Sequence, residues 1–114
     1  ATVTYGADIP GVRIEEIAPL IQIQAAVTRR RPGDPVDRAF VPEQRVSLDD
    51  ALRAYTVNAA YQLRLEDEIG TIEVGKRADL VALGENLFAL PDDEIHQCPV
   101  SLTMLGGRVT HDSR

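Results

Sequence analysis

The run from Ile69 to Leu83, Ile-Gly-Thr-Ile-Glu-Val-Gly-Lys-Arg-Ala-Asp-Leu-Val-Ala-Leu, constrains the fold of this chain more than any other stretch. Apolar residues gather on both sides of Gly75, which predicts two short strands joined by a tight turn. Gly75 suits the turn because glycine adopts positive φ without steric cost. Further on, Val100–Leu105 and Arg108–His111 flank Gly106-Gly107, and two glycines between apolar runs predict a hairpin. Residues 1–6 alternate in the β manner around Val3 and Tyr5 and predict another strand. That makes about four short strands in the β part, too few to close a sandwich unaided, so strands from elsewhere are expected to complete it.

Between these β segments the period changes. Ile14, Ile17, Ile21, Ala25 and Thr28 recur at spacings of three and four, with Leu20 and Ala26 beside the stripe. Pro19 interrupts this pattern, so the helix is expected from about Ala18, with proline in its first turn. Arg29-Arg30-Arg31 before Pro32-Gly33 then reads as a helix end, where cations suit the dipole. A loop holding Pro32, Pro35 and Pro42 leads to Ser47-Leu48-Asp49-Asp50, a capped helix start with anions in the first turn. Leu48, Ala51, Leu52 and Tyr55 form its apolar face. A second short helix carries Ala59, Ala60 and Leu63. Residues 84–99 read as a polar loop with a helical turn near Pro91–Ile95.

Composition excludes several functions. The 114 residues suffice for one modest domain, and the net charge of −6 leaves no basic surplus for nucleic acid or anionic membranes. No apolar stretch is long enough to span a bilayer, and the N-terminus lacks the pattern of a signal peptide. It reads instead as a strand cut inside a larger fold. The one cysteine, Cys98, has no partner for an internal disulfide and no cationic cluster to activate it, so a structural thiol is expected. His96 and His111 stand fifteen positions apart with no H-x-H and no cysteine cluster, which predicts surface residues rather than metal ligands. Gly75-Lys76 lacks the glycine spacing of a phosphate loop; Lys76, Arg77 and Asp79 read as surface or hairpin-pairing charges. Asp8, at the tip of the loop after the first strand, has two readings. It bonds its own loop backbone, or it faces an active site at a strand's C-terminal end.

Five blocks in register resemble one family. They are Tyr5-Gly6-Ala7-Asp8-Ile9-Pro10; Ala18-Pro19-Leu20 with Ala26-Val27-Thr28-Arg29; Val46 to Thr56 with Asn58-Ala59-Ala60; Gly70 to Val81; and Thr103 to Val109. Together the chain resembles the C-terminal portion of a metal-dependent amidohydrolase of family 3, the branch of N-substituted formamide deformylase-like proteins. The resemblance implies an α+β fragment of a composite domain. Residues 1–66 would hold the last strand and following helices of a TIM-like (β/α)8 barrel, and residues 67–114 the C-terminal share of a small β-sandwich. It implies that Asp8 is both a metal contact and the general base, taking a proton from the attacking water and passing it to the leaving nitrogen. Ala7 stands where the family usually has serine.

The implied cofactor is a divalent metal, zinc being expected, in the full-length enzyme. The implied substrate is a small amide, formamide or cyclic amide, and the implied location is cytoplasmic. The isolated segment is expected to bind no metal, to be inactive and to self-associate. A non-catalytic β-rich interaction module is the alternative.

Overall fold

Proline decides where the first helix begins. In the computed structural model, which describes residues 1–6 and 17–114, helix α1 (Pro19–Thr28) follows Ala18 with Pro19 in its first turn, as its sequence predicts. Arg29 ends it in the left-handed region (φ 59°), donating its backbone N–H to the Ala25 carbonyl. Helix α2 (Leu48–Tyr55) begins where Ser47 Oγ accepts the Asp50 N–H at 3.1 Å. A break at Thr56 separates it from α3 (Val57–Gln62). Three strands follow, β1 (Leu80–Leu83), β2 (Val100–Leu105) and β3 (Arg108–Asp112), paired antiparallel in the order β1-β2-β3. Gly106 and Gly107 both take positive φ, 56° and 80°, so the predicted two-residue hairpin turn forms between Leu105 and Arg108. The chain is therefore a small α+β structure with a three-stranded antiparallel sheet.

Two predicted strands are absent among the described residues. Residues 1–6 form no strand, because a strand needs a neighbour to receive its ladder bonds. Here the helices take those groups instead. The Tyr5 N–H donates to the Ala54 carbonyl, and Asn58 Nδ2 donates to the Val3 carbonyl at 2.9 Å. The first half of the Ile69–Leu83 run is not a strand either. Residues 66–76 pass through successive turns and bends, and Ile72 stands 88% exposed, with no sheet face to bury it. The turn at Gly75 does form, with φ 97° and a Lys76 N–H to Glu73 carbonyl bond.

The core lies between the helices and the segment that follows β1. Ile23 and Val27 of α1 and Ala51 of α2 are buried against Leu87, Ile95 and Cys98. The helical turn expected near Pro91–Ile95 forms, but residues 84–99, read as a polar loop, also supply part of the core. Their 3-10 helix Asp92–Gln97 packs along α1 and buries Ile95 completely. The buried face of α1 also differs from the predicted stripe. Ile23, Gln24, Val27 and Thr28 are inside, while Ile21 and Ala25 are half-buried. The cause is a polar bond: the buried Gln24 Oε1 accepts the His96 N–H at 2.9 Å and lies 2.8 Å from His96 Nδ1. Only an oxygen can face a backbone N–H, so His96 Nδ1 must carry its proton to share that same acceptor.

Close approach sets one glycine. A Cβ on Gly70 would lie 2.6 Å from the Ala60 Cβ, and its φ is +94°. Gly70→Ala is therefore expected to destabilise the fold by about 2–3 kcal/mol, from overpacking and left-handed backbone together. Urea unfolding checks this; an unchanged midpoint would contradict the packing described.

Candidate functional site

The sequence points to Asp8, and Asp8 lies outside the described residues. What the structure does describe is the frame on both sides of the segment 7–16. Before it, residues 3–5 are fastened to the α2–α3 corner. The Val3 carbonyl accepts from Asn58, Thr4 Oγ1 donates to Gln62 Oε1 at 2.6 Å, and the Tyr5 N–H reaches Ala54. After it comes α1. One residue joins the two flanks: the Tyr55 ring lies 5.8 Å from that of Tyr5, and its hydroxyl donates to Gln22 Oε1 on α1. Tyr55 reaches both because it closes α2 on the face turned to the core.

Burial pushes the Tyr55 phenol above its ordinary pKa, and the neighbouring Tyr5 adds to the shift. Tyr55 therefore stays a neutral hydrogen-bond donor across the whole physiological range.

Other residues picked out from the sequence fall as follows. Cys98 is buried, its Sγ 3.7 Å from the Glu85 carbonyl, in a structural position. His96 is half-buried against Gln24, which corrects its reading as a surface residue; His111 is exposed on β3 with Nε2 3.1 Å from the Val100 carbonyl. Among the described residues no three His, Cys, Asp or Glu side chains gather as a metal site would require. A metal site in this protein would therefore draw its ligands from outside the described residues.

Within the Gly70–Val81 block the charged residues are structural. Lys76 is mostly buried, against its reading as a surface charge, and its Nζ donates to the Glu66 carbonyl at 2.7 Å and to Thr71 Oγ1 at 2.6 Å. It holds the turns of residues 66–76 together in place of the missing strand ladder. Arg77 pairs with Glu68. Asp79 Oδ1 accepts the Gly106 N–H at 2.6 Å, and the Ala78 carbonyl accepts the Gly107 N–H at 3.0 Å. The block thus pins the far hairpin's turn. Tyr55 and Lys76 lie inside blocks that resemble the family, but the sequence does not show what they hold, and Gln24 lies in none of those blocks. Only a polar residue inside an apolar helix would have marked Gln24.

Comparison with known proteins gives consistent matches. The amidohydrolase family model matches residues 1–111. The chain is 34% identical over 108 residues to Protein LONG AFTER FAR-RED 3 of Arabidopsis thaliana, covering 95% of this chain and 18% of that protein. It is 26% identical over 107 residues to Putative amidohydrolase YtcJ of Bacillus subtilis (strain 168), covering 94% of this chain and 20% of that one. It is 34% identical over 71 residues to N-substituted formamide deformylase of Arthrobacter pascens, covering 62% and 13%. The chain spans about a fifth or less of the length of these relatives. No solved structure matches.

The frame is testable through Tyr55. Its folded-state pKa is raised, so the stability it contributes is complete below the ordinary tyrosine value of 10.0 and is lost as pH rises through the folded value. Tyr55→Phe is expected to cost about 1 kcal/mol at neutral pH and to flatten the alkaline loss of stability. Urea melts at neutral and strongly alkaline pH check both; an equally steep alkaline loss in the variant would contradict the assignment.

Proposed function

Because the chain belongs to the amidohydrolase family, we propose that the whole protein hydrolyses C–N bonds in a small amide, formamide or cyclic amide. The observation that carries this reading is the family match across residues 1–111, beside the resemblance of Gly6-Ala7-Asp8-Ile9-Pro10 to the family's loop. Asp8 is the proposed general base. It takes the proton of the attacking water and delivers it to the leaving nitrogen, so that bond cleavage does not expel a strongly basic amide anion. Tyr5 and Tyr55 are the proposed supports that fix the approach to Asp8.

When bound, a divalent metal, zinc being the expected one, would acidify that water. Asp8 is the ligand this chain is proposed to supply, and the remaining ligands would have to come from outside the described residues.

On this reading residues 1–66 belong to the end of a TIM-like barrel and residues 67–114 to a share of a β-sandwich. The names of the relatives support C–N chemistry in general, and the choice of substrate lies with the rest of the protein. A cytoplasmic location with no nucleic-acid or membrane partner agrees with the net charge of −6. No described helix is long and apolar enough to cross a membrane. The isolated segment is proposed to be inactive and to self-associate, since Leu63, Ile72, Val74 and Val81 leave apolar surface exposed. Monomeric light scattering at high concentration would overturn the self-association.

The test of the chemistry is Asp8→Asn in the whole protein, assayed on formamides and cyclic amides. General-base loss predicts a fall in kcat of about 10²–10⁴ with the fold intact. Turnover equal to the unaltered protein would remove Asp8 from the reaction. Absence of hydrolysis by the unaltered protein across these substrates would favour the interaction module instead.

A further inference from the structure

The end of α1 carries more positive charge than a helix terminus calls for. Arg29, Arg30, Arg31 and Arg38 line a pocket of about 300 Å³ together with Asp34 and Phe40. Four arginines and one aspartate thus line the pocket, with Arg30 also paired to Asp93, in a chain whose net charge is −6. A helix C-terminus presents roughly half an elementary negative charge, which a single cation satisfies. The remaining arginines repel one another unless an anion lies among them.

Two of the four are fixed in place. Arg29 donates Nε to the Phe40 carbonyl at 2.9 Å and lays its guanidinium over the Phe40 ring, 5.8 Å from the centroid. The Arg30 side chain is only 10% exposed; Nη1 donates to the Asp34 carbonyl at 2.9 Å and Nη2 pairs with Asp93. Its Nε is buried with no hydrogen-bond partner among the described residues. A buried donor left without an acceptor is unfavourable, so this cluster is under-supplied with acceptors. The Asp34 carboxylate is engaged by the Arg31 backbone N–H at 3.4 Å. The other two arms, Arg31 and Arg38, are exposed, and their guanidinium groups make no hydrogen bond or ion pair among the described residues.

We infer that this pocket binds an oxyanion, the phosphate or carboxylate group of a small molecule. Arg29 and Arg30 form its preset wall, and Arg31 and Arg38 close on the anion with the forked donor geometry that oxyanions match. The inference does not depend on the proposed hydrolytic chemistry.

Calorimetric titration of the whole protein with inorganic phosphate and with succinate, against sodium chloride of equal ionic strength, tests it. Arg31→Ala/Arg38→Ala removes two exposed side chains and leaves the wall in place. Arg45→Ala, an exposed arginine outside the pocket, is the control. Saturable binding is expected, weakened about tenfold in the double variant, as a loss of roughly 1.4 kcal/mol gives, and unchanged in the control. Saturation by phosphate alone identifies a phosphate ligand, and by succinate alone a carboxylate. Equal affinity in the double variant and the unaltered protein, or a response no greater than that to chloride, would overturn the site.

Discussion

One buried hydrogen-bonded pair holds the two halves of this chain together. Gln24 is 2% exposed inside the apolar face of α1, and its carbonyl oxygen meets both the backbone N–H and Nδ1 of His96. A buried amide without partners would cost about 1–3 kcal/mol. With His96 beside it, the same group fixes the rotation of α1 and its register along the Asp92–Gln97 helix. Ile23, Val27 and Ile95 then meet in the core. Aliphatic contacts supply most of the burial energy, but they are non-directional. The Gln24–His96 pair selects which face is inside.

From that docking follows the arrangement of the residues flanking the segment 7–16. With α1 set, Gln22 on its half-buried side receives the Tyr55 hydroxyl, and Tyr55 in turn meets Tyr5. Tyr5 before the segment 7–16 and Gln22 after it thereby meet the same side chain, Tyr55. The block from Gly70 to Val81 serves a different purpose. Asp79 and Ala78 bind the turn of the β2–β3 hairpin, and Lys76 gathers the loop before β1. Its polar residues organise backbone.

Local chemistry was legible wherever one residue decides the conformation. Pro19 started α1, Ser47 capped α2, Gly75 made its turn and Gly106-Gly107 made the hairpin. Tertiary choices were not legible. Helix α1 has apolar residues on most sides, so its period allowed several faces, and a polar glutamine won the buried one. Val3, Ile72 and Val74 have strand propensity, yet propensity without a neighbouring strand forms no ladder. Leu87 and Ile95 sit among Asn, Pro, Asp and Glu, and a polar average hid two core residues. Of the candidate site, Asp8 is proposed through the resemblance, and the Tyr5–Tyr55 contact was visible only from the fold.

The central claim is that Gln24 and His96 dock the two halves. Hydrogen exchange at the His96 amide tests it most directly, compared between the unaltered protein and Gln24→Met, which keeps the side-chain volume and removes the acceptor. The account predicts slow exchange in the unaltered protein, matching the core of α1, and loss of that protection in the variant. A His96 amide that exchanges as an unprotected group in the unaltered protein, or stays equally protected in Gln24→Met, would contradict it.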